Sequence, residues 1–167
     1  MSRGFVKEED QEETPFIPPR AALPPGVTNY VTPQGMQELL DEKKALEEER
    51  SGLELSSETE RRRATAVIDG KLTLLNDRIN SARVLNPKEQ PSKEVRFGAH
   101  VLLQDKKTKQ LQEFTIVGVD EADVKNQKIS FVAPIVRAIT GKKEGEAAEF
   151  SLGNETRQLE IKKITYK

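Results

Sequence analysis

Residues 114–146 read FTIVGVDEADVKNQKISFVAPIVRAITGKKEGE, and this run decides the fold. Phe114–Val119 is a short apolar stretch rich in β-branched residues, the composition of a buried strand. Asp120-Glu121-Ala122-Asp123 and the polar residues through Asn126 break it and read as an acidic turn. Lys128–Ala133 has strand character again. Pro134 carries the fixed φ that suits a first helical position, so Pro134–Thr140 is expected as a single short helix. Gly141 ends it, and Gly141–Gly145 forms a basic turn.

Working outward, a period of two recurs in Val95–Leu103, Leu111–Val119, Ala147–Leu152 and Leu159–Tyr166, separated by turn residues at Asp105–Thr108 and Gly153-Asn154. Five strands with one helix, largely antiparallel, make a small α+β unit. His100 is the only histidine. With no Ser, Cys or second His in a motif, it reads as a half-buried strand residue rather than a catalyst. No glycine-rich phosphate loop or nucleophile elbow occurs, so DEAD at 120–123 is a turn and not part of a nucleotide-driven motor.

Towards the amino terminus the period becomes helical. Thr32-Pro33 supplies an N-cap and a proline at the first helical position. Met36, Leu39, Lys43, Leu46, Arg50 and Leu53 follow with alternating steps of three and four, a narrow seam that faces one other helix. Gly52 is expected to close this helix by taking positive φ. Ser57 and Glu60 form a capping-box pair for a second helix from about Glu58 to Leu85, where Asn86-Pro87 stops it. Its stripe is Ala64, Ile68, Leu72, Leu75, Ile79 and Ala82. Two seams joined by a short turn imply an antiparallel hairpin whose longer arm spans roughly 40 Å. Because the arms are unequal, the first turns of the second helix lack a partner unless the Pro-rich arm covers them.

The expected organisation is a Pro-rich, acidic arm over 1–30, a helical hairpin over 31–86, a polar linker over 87–94 and the sheet unit over 95–167. The arm carries Glu8, Glu9, Asp10, Glu12 and Glu13 followed by FIPPRAALPPG, and is read as an extended segment lying along the protein.

Composition narrows the function. The 167 residues are 35% hydrophobic and 33% charged, enough for one modest core plus an extended element. With no cysteine, disulfides and thiolate metal sites are excluded. No apolar run is long enough to cross a membrane, and a cytoplasmic location is the expectation. A net charge of −1 predicts no bulk attraction to nucleic acid, although residues 87–167 carry fifteen basic against twelve acidic groups.

Three blocks then carry a resemblance. Tyr30–Leu40 (YVTPQGMQELL), Ile79–Leu85 (INSARVL) and residues 95–166, with FGA at 97–99, IVG at 116–118 and PIVRAITGKKEGE at 134–146, resemble the GreA/GreB family of transcription elongation factors. The resemblance implies an α+β protein in which an N-terminal antiparallel helical hairpin (a coiled coil) is joined to a C-terminal FKBP-like antiparallel sheet with one short helix. It further implies RNA polymerase core enzyme as partner, with the hairpin directed to the secondary channel and nucleic acid contacted only indirectly. No cofactor, membrane or small-molecule substrate is implied.

In the cleaving members of that family a Gly-Asp-x-x-Glu-Asn tip motif holds an active-site Mg²⁺ and promotes RNA cleavage, chemistry suited to carboxylates. This chain lacks the motif, and its hairpin is shorter by about two turns, on the order of 12 Å. The expected function is therefore polymerase regulation without stimulated cleavage, and the chain is not itself expected to be an enzyme. Glu54 and Glu58 are the candidate substitutes at the tip, and a cleavage-stimulating factor using them is the alternative. Arg61, Arg62 and Arg63 beside them oppose a divalent cation and are candidates for nucleic-acid or polymerase contact. The family's docking loop corresponds to Val132, Ala133 and Pro134, so Pro134, Ile135 and Arg137 are the expected polymerase-binding residues. Ile135 is also a core candidate and Arg137 a surface partner for the acidic turn. Two further alternatives are an FKBP-like prolyl isomerase and a coiled-coil adaptor.

Overall fold

The structure is a computed structural model that describes residues 14–54 and 57–167. The acidic residues from Glu8 to Glu13 lie outside the described residues.

Helix α1 spans Pro33–Ser51 and starts where the sequence places it: Thr32 is the N-cap, its hydroxyl accepting from the Gly35 amide at 2.9 Å. Gly52 caps the other end with φ −96°, not the positive φ expected of it. Its amide still reaches the Glu48 carbonyl at 3.0 Å, so the helix closes without the left-handed turn. Helix α2 spans Glu58–Ser81, with Ser57 as N-cap accepting from the Glu60 amide at 3.1 Å. Val31, Leu39 and Leu75 form the centre of the hairpin seam, with Met36, Leu46, Ile79 and Ala82 packed around them. Arg50 pairs with Asp69 at 2.7 Å. That crossing places the end of α1 beside the middle of α2, so residues 58–63 extend past it and are exposed.

The second helix stops four residues before the expected Leu85. Strand β2 (Ala82–Val84) replaces its last turn and pairs in parallel with β1 (Asn29–Val31). The bond from the Leu85 amide to the Val31 carbonyl at 2.9 Å continues that pairing. Asn86-Pro87 already disfavours helical backbone just ahead of the proline, and the pairing supplies an extended alternative with its hydrogen bonds satisfied.

The sheet contains β3 (His100–Asp105), β4 (Leu111–Val117), β5 (Lys128–Ser130), β6 (Ala147–Leu152) and β7 (Glu155–Thr165), in the order β5-β4-β3-β7-β6. All pairs are antiparallel except β4–β5. The first of these strands begins at His100 rather than Val95, because Gly98 takes φ +87° and turns the chain. Gly153 (φ +62°) allows a two-residue connection between β6 and β7. Helix α3 (Pro134–Ile139) lies over one face. Phe114, Val101, Leu103, Ile116, Ile161, Val136 and Ile139 form a core with almost no solvent contact. Burial on this scale, at about 25 cal/mol per Å² of apolar area, is what holds the sheet to its helix.

Within residues 14–26, Ile17 and Ala21 meet α2, and Arg20 meets α1 and the acidic turn. Ile17 lies against Gly70, so closely that a side-chain carbon there would overlap its Cδ1. Nearer the sheet, Ala21 accepts from the Arg78 guanidinium.

Candidate functional site

The junction between hairpin and sheet is built from the acidic turn. The Asp120 side chain is only 6% exposed and receives two guanidiniums, Arg20 Nε at 3.0 Å and Arg78 Nη1 at 3.3 Å. Arg20 also binds Glu42 on α1 through both nitrogens, at 2.7 and 3.0 Å. That hydrogen bond to Glu42, with the charge of Asp120, raises the Arg20 pKa above its ordinary value despite burial. One arginine of the arm thus ties α1 to the sheet.

Glu121 is the second buried carboxylate. The Thr32 hydroxyl donates to it at 2.6 Å, and Lys128 Nζ lies 3.8 Å from its other oxygen. Thr32 consequently caps α1 and holds the hairpin to the sheet with one side chain. Backbones also meet here: a Cβ on Gly118 would lie 2.5 Å from the Tyr30 carbonyl oxygen. The expected pairing of Arg137 with the acidic turn does not form, because Asp120 is already taken by Arg20 and Arg78.

Beside this junction Tyr30, Phe97 and Phe131 form a three-ring cluster with centroids 5.6–5.8 Å apart. With Leu85, Val136, Arg137 and Thr140 they line a groove of about 770 Å³. The three expected docking residues lie on α3 at its edge. Pro134 and Arg137 are exposed, whereas Ile135 packs against the core, as its alternative role required. Ala133 stands at the N-cap and offers no side-chain hydrogen bond.

At the far end of the hairpin, some 30 Å away along α2, Glu54 and Glu58 are both exposed. Glu58 is the first residue of α2, where its charge is favoured by the helix dipole. Arg61, Arg62 and Arg63 fill the next turn, also exposed. Among the described residues there is no group of three or more His, Cys, Asp or Glu that could hold a metal ion. His100 is half-buried, its Nδ1 2.8 Å from the Thr115 hydroxyl, a structural position. No helix among the described residues is long and apolar enough to cross a membrane.

The residues that sequence reasoning missed are Arg20, Arg78, Tyr30 and Thr32 in its second role. Their partners lie 22 to 101 positions away, and no local pattern marks them. The three carboxylates within 120–123 are the one local sign of a polar anchor.

The helical hairpin is thus latched to the α+β sheet, with α3 beside the junction and a charged tip at the far end. The family model "Transcription elongation factor, GreA/GreB, C-term" matches residues 90–166. Transcription elongation factor GreA of Hyphomonas neptunium is 40% identical over 126 residues, covering 74% of this chain and 80% of that relative. The corresponding factor of Thermodesulfovibrio yellowstonii is 33% identical over 151 residues, covering 81% and 96%. Among solved structures, GreA factor homolog 1 of Thermus thermophilus covers 83% of this chain and 99% of its own, at 19% identity and TM-score 0.39. The chain belongs to the GreA/GreB family of transcription elongation factors.

Proposed function

We propose that this chain binds RNA polymerase core enzyme through α3 and the adjoining aromatic groove, directs its hairpin to the secondary channel, and regulates elongation without stimulating RNA cleavage. The observation that carries this reading is the tip. Glu58 sits at the head of α2 with Arg61, Arg62 and Arg63 in the following turn, and Glu54 is exposed on the connecting segment. Mg²⁺ binds through hard oxygen ligands in a near-octahedral shell, and three guanidiniums within a turn oppose its approach. Reach points the same way: α1 has 19 residues and α2 has 24, or about 28 and 36 Å. The exposed Pro134 and Arg137 supply the docking contacts, with an apolar surface beside them. The isomerase alternative loses support because Tyr30, from the hairpin root, stacks on Phe97 and Phe131 inside the groove.

Stalled, backtracked elongation complexes test the proposal. The protein should co-purify with them and leave transcript lengths unchanged, while slowing cleavage by an active factor added in competition. An Arg137→Glu variant should lose that competition. Shortened transcripts that disappear with Glu54→Ala plus Glu58→Ala would establish the cleaving alternative instead.

A further inference from the structure

We propose that Arg20 is a positioning residue: through Glu42 and Asp120 it braces the hairpin against the sheet, and breaking that brace leaves both units folded while the hairpin swings about its root. Direct links between the two units lie close together. Among the described residues, the hydrogen bonds and ion pairs that pass straight from hairpin to sheet start from Thr32, which reaches Glu121, and from Arg78, which reaches Asp120. The ring contacts of Tyr30 with Phe97 and Phe131, and the approach of its carbonyl to Gly118, lie beside them. Thr32 caps the first turn of α1 and Arg78 stands in the last turn of α2, so these links gather at one end of the hairpin and form a pivot. The bodies on either side are packed separately: Val31, Leu39 and Leu75 are the buried cluster of the hairpin, and the sheet has its own around Phe114 and Ile161.

Arg20 acts beyond the pivot. Its guanidinium binds Asp120 through Nε and both oxygens of Glu42 through Nη1 and Nη2. Glu42 is ten residues past Thr32, about 15 Å along α1. The whole of α1 is about 28 Å long, so an ångström of slack at Glu42 becomes about two at the tip. A planar, bidentate guanidinium allows little such slack. Ile17 on Gly70 and the Ala21 carbonyl on Arg78 hold the arm to α2 on either side of Arg20 in sequence. Yet no residue from Thr14 to Thr28 is buried. A segment that buries so little opens locally at small cost, whereas the two packed clusters open only with their units. The brace therefore yields first, and the direction of the tip follows the state of the arm. This bears on the hairpin presentation proposed above without depending on it, because the free protein is what the test measures.

The chain has no cysteine, so spin labels can be placed on introduced cysteines without background. Glu49→Cys with Glu149→Cys reports the hairpin against the sheet, and Glu49→Cys with Asn80→Cys reports the hairpin alone; all three positions are exposed. Pulsed dipolar spectroscopy should give narrow distance distributions for both pairs in the otherwise wild-type chain. Arg20→Ala and, separately, Glu42→Ala should each broaden the first distribution and leave the second unchanged. Freed by about 3 Å at Glu42, on the order of one hydrogen-bond length, the label at position 49 should sweep about 5 Å. Glu42→Ala keeps the pair of Arg20 with Asp120 and removes a side chain that is 43% exposed. Its urea midpoint should therefore shift by no more than about 0.5 M, so that direction changes while stability is nearly kept. Equal widths in the wild-type chain and both variants would overturn the proposal. So would broadening in Arg20→Ala alone, which would assign the effect to a disturbed pivot. Equal broadening of the pair within the hairpin would also overturn it, by placing the change in the hairpin's own packing.

Discussion

Asp120→Ala should destabilise the protein by about 2–3 kcal/mol, and the structure fixes both the size and the cause. The side chain retains only 6% exposure and is shared by Arg20 and Arg78 at 3.0 and 3.3 Å. Removing one partner of a fully buried pair costs about 3–5 kcal/mol, mostly because the other charge is stranded. Here the stranded guanidiniums keep 18% and 15% exposure, and each has a second partner: Glu42 for Arg20 and the Ala21 carbonyl for Arg78. Water and these partners absorb part of the penalty, which lowers the figure to the stated range. With a urea slope of about 2 kcal/mol/M, the unfolding midpoint followed by circular dichroism should fall by about 1–1.5 M. The mutation should also cost at least 1 kcal/mol less in an Arg78→Ala background, since contacting partners are non-additive. A midpoint shift below about 0.3 M, or equal cost in both backgrounds, would refute the view that this carboxylate anchors the hairpin.

Two glycines give a paired test. Gly118→Ala should cost at least about 2 kcal/mol, because the new methyl would meet the Tyr30 carbonyl at 2.5 Å and push β1 off the sheet. Gly52→Ala should stay within about 0.5 kcal/mol of wild type, since Gly52 has φ −96° and its nearest neighbour would be 3.4 Å away; thermal unfolding distinguishes the two, and equal losses would sink the argument. For pH, amide bonds from Thr108 and Lys107 to Asp105 hold its carboxyl below the ordinary aspartate range. Its folded value is the lower one, so its contribution is present above about pH 4 and lost as pH falls through the folded value. Carboxyl NMR should find Asp105 titrating below about 3.9, and a midpoint at or above that would contradict the geometry.

What could be read from the sequence was what neighbours in sequence determine. The Thr32 cap and the Ser57 cap are decided within three residues, and both helices start there. Pro134 begins α3, and the two-residue Gly153-Asn154 turn joins β6 to β7 as read. The Gre resemblance of the 95–166 block rested on such local blocks. Apart from the φ of Gly52 and the late start of β3 after Gly98, the errors are non-local. Ala82–Val84 reads as helix until Asn29–Val31, some fifty residues earlier, is placed beside it. Three-residue strands are too short to show a period, so no window could have revealed the pairing. DEAD reads as a turn, and it is one. Its two buried carboxylates become visible only when Arg20 and Arg78 are brought to Asp120 and Thr32 to Glu121. Arg137, whose alternative reading is a surface partner for that turn, stands apart from it, and the partners of Asp120 come from the arm and α2. Helix α3 itself is legible because a proline marks its start, whereas nothing local marks Tyr30 as part of the groove.

The nature of the junction explains why hairpin direction and protein stability need not respond alike to mutation. Apart from the three aromatic rings, the hairpin root is held to the sheet by directional contacts: two guanidiniums on Asp120, a hydroxyl on Glu121 and a backbone approach at Gly118. Buried charge pairs add little net stability compared with apolar residues of the same shape, because desolvation offsets their attraction. They do discriminate sharply between geometries, since a guanidinium moved by an ångström or two no longer satisfies its carboxylate. An apolar root of equal area would tolerate many hairpin angles at similar energy. The polar root selects one, and so fixes the direction of a tip some 30 Å away along α2.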